Sequence, residues 1–171
     1  MKKRPHYLFI VVFCLALLGA ALFFQLVIGL GPCPLCILQR FAIIGIAIIA
    51  LLAYLHNSIS IMDRVYGLLL VIGGLCSAGI ASRQIWLLSI PPEQAAACGP
   101  GLEVALDKFI ALLPQGQITE TLFRSTAECT DIAWTLFGFG LPQLTYPVFI
   151  LFALYLVWLF FKRNVRKLYS F

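Results

Sequence analysis

The chain has 171 residues, of which 62% are hydrophobic and 11% are charged, and its formal net charge is +5. A water-soluble domain of this length could not cover so much apolar surface with so few charged side chains. The positive charge does not indicate nucleic-acid binding, because the basic residues cluster in the two tails, beside apolar segments, as in the cytoplasmic flanks of membrane helices. We therefore expect a single integral-membrane domain.

Four apolar segments are long enough to cross a hydrocarbon core of about 30 Å as helices. For the first segment a signal peptide is the alternative, because Lys2–Arg4 resembles a basic leader region, but the apolar run continues to Ile28. Continuous apolarity without alternation favours helices over strands. In the third segment Gly73, Gly74 and Gly79 offer a small-residue face for close packing. The predicted spans are residues 7–28, 37–55, 65–88 and 144–161.

The distribution of charge predicts how these spans are oriented. Four spans put both tails on one side, and they put residues 29–36 and 89–143 on the other side as loops. The tail side carries eight basic residues, whereas the two loops carry only Lys108 and Arg124 with six acidic residues. The positive-inside rule then places both termini in the cytoplasm and both loops outside.

The long outer loop contains two segments that suit a membrane surface. Leu102–Leu113 is apolar with a polar edge, and as a helix it would reach only about 18 Å, which is too short to span. Ile132–Phe137, with Trp134 at headgroup depth, is a second surface-seeking patch. Ordinary packing of both segments onto the bundle is the alternative. The predicted fold class is all-α, a four-transmembrane-helix bundle with short surface helices in the second outer loop.

Four cysteines lie in the outer loops, where they all face one compartment. Cys33 and Cys36 form a C-x-x-C pair in the short first loop, and Cys98 and Cys129 lie in the long loop. A zinc site lacks a second close pair of ligands, and covalent haem attachment needs a histidine where the chain has Ile37. A redox dithiol is therefore the favoured interpretation of the first pair, and a structural disulfide is the alternative.

Cys36 is expected at or just before the first turn of the second helix. Free backbone N–H groups and the helix dipole stabilise an anion there, which favours the reactive thiolate form. Arg40 follows four residues later on the same helix face, where a cation is natural if an anion shares the site. The alternative is an arginine that snorkels to the interface, and for Arg83, near the outer end of the third span, snorkelling is the favoured interpretation.

Cys98 and Cys129 enclose a loop of about thirty residues, and a bridge between them would stabilise the chain by a few kcal/mol in an oxidising compartment. A structural staple and an exchanging pair both remain open. A second dithiol at the same membrane face favours exchange, because electrons can pass between two nearby pairs through mixed disulfides. Cys14 and Cys76 lie within the spans, where protonated thiols act as small hydrophobic groups, and no chemistry is expected of them.

In order and spacing, these motifs resemble the bacterial disulfide bond formation protein B (DsbB) family. The resemblance covers essentially the whole chain. The matching motifs are Pro32-Cys33-Pro34-Leu35-Cys36 with Arg40, Arg83-Gln84-Ile85-Trp86, Ala97-Cys98-Gly99-Pro100, Glu128-Cys129, Trp134 and Gly140-Leu141-Pro142-Gln143.

The resemblance implies a four-helix bundle of the bacterial inner membrane with both loops in the periplasm. Such a protein reoxidises a periplasmic thioredoxin-like dithiol oxidant of the DsbA type and passes the electrons to a quinone, either ubiquinone or menaquinone. Arg40 would stabilise the charge at the quinone, and Arg83 is a weaker candidate for the same site.

The resemblance also implies a role for each loop cysteine. Cys98 would form the mixed disulfide with the reduced partner. Cys129 would pair with Cys98 at rest and transiently with Cys33, and Cys36 would meet the quinone. Catalytic roles are thus expected for all four cysteines.

Two other functions compete with a thiol oxidase. An oxidoreductase that imports reducing equivalents would need a thiol on the cytoplasmic side, and the sequence places none there. A non-enzymatic small membrane subunit or channel, with structural loop disulfides, would need a polar path through helices that contain few polar groups. No nucleotide fingerprint such as G-x-G-x-x-G is present, which favours a lipid-soluble electron acceptor.

Overall fold

The computed structural model describes residues 4–29, 31–56, 61–90 and 139–168, together with residues 108, 111, 135 and 136. Over these residues the chain forms four long helices and one pair of two-residue strands. In chain order they are α1 (Arg4–Leu26), α2 (Pro34–His56), α3 (Ile61–Leu88), β1 (Thr135–Leu136), β2 (Phe139–Gly140) and α4 (Leu141–Leu168).

All four helices are long and apolar enough to cross a membrane, judged by length and composition. Large apolar side chains such as Leu15 and Leu154 are more than half exposed on the outside of the bundle, where a bilayer would cover them. The all-α, four-span fold class expected from the sequence is confirmed, and the chain is a multi-pass membrane protein. The apolar helical segments are Pro5–Leu26, Pro34–His56, Ile61–Leu88 and Pro142–Lys162.

The structure describes only a few residues of the long outer loop. Of the predicted surface helix at 102–113, only residues 108 and 111 are described, and both are helical. In the patch predicted at 132–137, Thr135 and Leu136 form β1, which pairs antiparallel with β2. The end of this patch is therefore a short hairpin leading into α4 and not a helix, because pairing with residues 139–140 satisfies its backbone groups instead.

The turn between α1 and α2 determines where the C-x-x-C pair lies. α1 ends at Leu26, and Gly29 adopts a φ of 77°, a left-handed conformation that glycine reaches without steric cost. Pro34 is the first residue of α2, where its fixed φ suits a helix and its missing N–H is not needed. The helix therefore starts before the span predicted at residues 37–55, and it contains Cys36 in its first turn.

The helices pack as a bundle around one apolar core. α1 contacts α2, α2 contacts α3, and α3 contacts α4. α1 and α4 meet through aromatic rings, with Phe9 against Tyr155 and Phe13 against Phe152. In lipid, such contacts stabilise the bundle mainly by close van der Waals packing. Completely or almost completely buried core residues include Ile10, Cys14, Ile46, Leu70 and Leu156.

Two of the three glycines predicted to pack closely do so. A Cβ added to Gly74 would lie 2.8 Å from Cδ1 of Leu156 on α4, and one added to Gly73 would lie 2.8 Å from Cγ1 of Ile46 on α2. A Cβ at Gly79 would meet no described atom within 4 Å. The small-residue face of α3 is thus shorter than the sequence suggested, and it ends before Gly79.

At the tail end of the bundle, a buried carboxylate is held by a hydrogen bond between helices. Asp63 is only 6% exposed, and the hydroxyl of Tyr7 donates to its Oδ1 over 2.8 Å. The neighbouring Arg64 is exposed. The bond joins α1 to α3, and it supplies a partner to a carboxylate whose burial would otherwise be costly.

A bulky side chain at Gly74 is expected to destabilise the bundle. Gly74→Leu should lower the free energy of unfolding by about 1–3 kcal/mol, because the added atoms have no room against α4. Denaturant unfolding of detergent-solubilised protein, followed by circular dichroism, measures this. Gly79→Leu is the matched control, with the same gain in helix propensity and open space around it. Equal stability losses in the two variants would contradict the packing argument.

Candidate redox site

The C-x-x-C pair is closed as a disulfide at the N-terminus of α2. Cys33 and Cys36 are bonded through their sulfurs, and their Cα atoms lie 5.1 Å apart. The backbone N–H of Cys36 also donates to Cys33 Sγ over 3.2 Å, so Cys33 caps the helix as an N-cap side chain does. Cys36 therefore stands in the first turn, where free N–H groups and the positive end of the helix dipole favour an anionic sulfur.

The two bonded cysteines have different surroundings. Cys33 is 6% exposed and packs in a small apolar cluster with Leu35 and Leu87, against Ile80 of α3. Cys36 is half-buried and borders a cavity inside the bundle. The pair therefore has one sulfur in an apolar wall and one beside open space.

The cavity beside Cys36 has a volume of about 180 Å³ and is bordered by all four helices. Its surface is mostly apolar, with a few polar side chains, which is the usual character of a small-molecule site. The apolar lining includes Leu17, Ala21 and Phe24 of α1, Ile43 of α2 and Phe149 of α4. The polar lining consists of Gln39, Arg40, Gln84 and Thr145.

Arg40 brings a positive charge to this cavity. It is 6% exposed and lies inside the bundle, where its Nη1 donates to Oε1 of Gln25 on α1 over 2.7 Å. Among the described residues that line the cavity, Arg40 is the only one with a charged side chain. A guanidinium held inside the bundle at this cavity is suited to stabilising an anion that forms there, more than a side chain that only reaches for the surface would be.

Arg83 does not share this cavity. It is exposed, and its guanidinium carbon lies 4.2 Å from the centroid of the Trp86 ring in a cation–π contact. One residue further along α3, Gln84 turns toward the cavity instead. The structure thus brings Cys33, Cys36 and Arg40 together and places Arg83 outside the group.

Gln84 is the site residue that the sequence analysis did not single out. Its Nε2 lies 3.3 Å from Cys36 Sγ and 3.5 Å from Cys33 Sγ. The sequence feature that could have pointed to Gln84 is a glutamine within an apolar span, because polar groups at membrane depth are rare and usually have a specific partner. Gln39 has the same character, and its Nε2 donates to the backbone oxygen of Ser77 over 3.3 Å.

The remaining cysteines separate into two kinds. Cys98 and Cys129, together with Trp134, lie outside the described residues. Cys14 and Cys76 carry free thiols in the helices, Cys14 in the core and Cys76 on the outside of α3. Neither of these thiols is among the residues that line the cavity.

A disulfide with this geometry can accept two electrons when a thiolate attacks one of its sulfurs. If Cys33 is attacked, Cys36 leaves as a thiolate at the helix N-terminus, on the cavity that Arg40 also lines. A small apolar oxidant in the cavity would lie next to that sulfur. The arrangement therefore suits transfer of electrons from thiols to an acceptor dissolved in the membrane.

Comparison with known proteins agrees with this chemistry. The family model described as "Disulfide bond formation protein DsbB" matches residues 3–159. Three relatives, each named Disulfide bond formation protein B, align over nearly their full length. The one from Methylobacillus flagellatus is 40% identical over 95% of both chains, that from Azoarcus sp. 39% over 96% of both, and that from Marinobacter nauticus 36% over 88% of both. The chain is therefore a member of the DsbB family of membrane-embedded disulfide oxidoreductases.

Proposed function

We propose that this protein oxidises a periplasmic dithiol protein of the thioredoxin-like DsbA type and passes the electrons to a membrane quinone, which sustains disulfide bond formation. One observation carries the proposal. Cys36 belongs to a disulfide and at the same time lines an apolar cavity that contains the buried charge of Arg40. A structural disulfide would need neither the cavity nor the cation.

The first part of the proposed reaction takes place in the outer loops. A thiolate of the reduced partner attacks Cys98 in a Cys98–Cys129 disulfide, and a mixed disulfide forms at Cys98. The second thiol of the partner then releases it as an oxidised protein. Two thiols become one disulfide and one disulfide becomes two thiols, so two electrons and two protons have moved to the loop pair.

The second part transfers these electrons to the pair on α2. The thiolate of Cys129 attacks Cys33 Sγ, the Cys33–Cys36 bond breaks, and its electron pair stays on Cys36 Sγ. The N-terminus of α2 and the guanidinium of Arg40 stabilise this thiolate. Completion of the exchange reforms the loop disulfide and leaves both cysteines of α2 reduced.

The residues of the cavity fit a quinone, with ubiquinone and menaquinone as the two candidates. A quinone accepts two electrons and two protons and is apolar enough to reach the cavity from the bilayer. Leu17, Phe24 and Phe149 offer apolar contacts for a ring. Arg40 offers N–H donors for carbonyl oxygens. The protein contributes orientation and charge, while the redox chemistry belongs to the quinone.

The proposed location is the bacterial inner membrane, with both termini in the cytoplasm. The support is the charge pattern, since seven basic residues lie in or next to the two tails and an eighth, Arg64, lies in the first turn of α3 on the same side. The loops at residues 29–36 and 89–143 then face the periplasm. All four predicted catalytic cysteines then lie on that side of one membrane domain that comprises residues 1–171, and Cys98 is the one that meets the soluble partner.

Replacing Cys36 is expected to abolish quinone-dependent turnover. Detergent-purified protein is mixed with a reduced thioredoxin-like dithiol protein, and oxidation of that protein is followed with and without added quinone. Cys36→Ser removes the sulfur that borders the cavity, so multiple turnovers should stop. Cys14→Ser and Cys76→Ser are the matched controls and should keep the wild-type rate. Normal turnover by Cys36→Ser, or wild-type exchange that does not respond to quinone, would contradict the proposed electron acceptor.

Replacing Arg40 is expected to weaken use of the quinone. Arg40→Gln removes a charge-assisted interaction of about 1.5–3 kcal/mol, so kcat/KM for quinone should fall by about 10- to 100-fold. Steady-state kinetics over a range of quinone concentrations measures the change. The control is Arg64→Gln, because Arg64 is an exposed arginine on α3 near the tail side. This variant should not change kcat/KM for quinone. A wild-type quinone dependence in Arg40→Gln would remove Arg40 from the proposed site.

Arg83 remains a second and weaker candidate for contact with the quinone. Its guanidinium lies over Trp86, outside the cavity. Arg83→Gln is therefore expected to lower kcat/KM for quinone less than Arg40→Gln does, in the same kinetic assay. A larger effect of Arg83→Gln would place the quinone nearer the outer end of α3 than the cavity beside Cys36.

A further inference from the structure

Gln84 is the polar side chain of α3 that reaches the cysteine pair. Its Nε2 lies within hydrogen-bonding distance of both sulfurs, 3.3 Å from Cys36 Sγ and 3.5 Å from Cys33 Sγ, and the residue is only 6% exposed. A primary amide has two N–H donors, so one nitrogen can serve both sulfurs. α3 thereby supplies donors to a pair that otherwise belongs to α2.

A disulfide makes poor use of these donors. Neutral sulfur accepts hydrogen bonds weakly, whereas a buried amide that lacks good partners costs about 1–3 kcal/mol. A thiolate is a far stronger acceptor, and a hydrogen bond to a charged group contributes about 1.5–3 kcal/mol. The best partner for this amide therefore exists only after the disulfide has been opened.

Gln39 shows what an ordinary structural glutamine does in this bundle. It is equally buried, but its Nε2 donates to the backbone oxygen of Ser77, a strong acceptor that is the same in every redox state. Gln84 differs because its donors face the two atoms whose charge changes during the reaction. This contrast argues for a role in the chemistry of the pair.

We propose that Gln84 is a positioning residue that stabilises the thiolate formed on reduction of Cys33–Cys36, and so sets how oxidising this pair is. When an incoming thiolate bonds to Cys33 Sγ, the electron pair of the broken bond stays on Cys36 Sγ. The amide of Gln84 donates to that sulfur from α3, and Arg40 is the charged group that faces the same cavity from α2. The inference rests on the exchange reaction proposed above, and it adds the residue that tunes the reaction.

The test measures the redox equilibrium of the pair without quinone or partner protein. The full chain carrying Cys98→Ser and Cys129→Ser is equilibrated in detergent with glutathione buffers, and the reduced fraction of Cys33–Cys36 is measured after alkylation. Gln84→Met keeps the side-chain volume and removes both donors. It should shift the equilibrium constant about tenfold toward the disulfide, which lowers the reduction potential by about 30 mV. The pH profile of Cys36 alkylation should also move to higher pH.

Two further variants decide the outcome. Gln84→Asn keeps an amide, but its side chain is one methylene too short to reach both sulfurs. This variant should therefore shift the redox equilibrium in the same direction as Gln84→Met. If Gln84→Met does not fold, Gln84→Asn decides the test. Ser82→Ala is the control, because this exposed hydroxyl donates to the backbone oxygen of Ala78. A folded Gln84 variant with the wild-type equilibrium constant, or an equal shift in Ser82→Ala, would overturn the proposal.

The turnover assay and the glutathione equilibrium test the two proposals separately. If the wild-type protein showed no quinone-dependent turnover, the proposed function would be contradicted. The glutathione equilibrium would still report on the role of Gln84. A wild-type equilibrium in a folded Gln84 variant would contradict the role of Gln84, whereas quinone-dependent turnover of the wild-type protein would be unaffected.

Discussion

The start of α2 at Pro34 is the constraint on which the rest of the site depends. A proline at the first helical position makes Cys33 the capping residue and puts Cys36 in the first turn. One turn later the same helix face carries Arg40, which is how the disulfide and the cation come to border one cavity. A helix starting one residue later or earlier would turn this face by about 100° away from α1 and α4.

The polar side chains of the bundle follow the rule that groups in hydrocarbon need partners inside the protein. At the tail end they hold helices together, as in the bond between Tyr7 and Asp63 and the 2.7 Å contact between Tyr66 Oη and His56 Nδ1. At the other end Arg40, Gln39 and Gln84 surround a cavity. The same physical requirement thus produces hydrogen bonds between helices at the tail end and a partly polar cavity at the other end. These polar residues do not form a continuous polar channel through the bundle.

Sequence patterns were sufficient for the four helices, because only helices and closed barrels satisfy their backbone groups in lipid, and continuous apolarity without alternation favours helices. They also indicated that Cys36 lies at or just before the first turn of α2, because glycines and prolines interrupt the apolar run between the first two helices. They did not indicate which α3 side chain faces the cysteines, because α3 has almost no amphipathic pattern, and adjacent residues such as Arg83 and Gln84 differ by about 100° around the helix. The hairpin of β1 and β2 was missed for a related reason, since two-residue strands leave no periodicity to detect.

The capping bond from Cys36 N–H to Cys33 Sγ has a consequence for repeated turnover. It uses a sulfur lone pair and does not depend on the bond between the two sulfurs. When that bond opens, Cys33 can still cap α2, and an anionic Cys33 sulfur would do so more strongly. In the proposed exchange, the backbone around the pair therefore has little reason to rearrange between the oxidised and reduced forms.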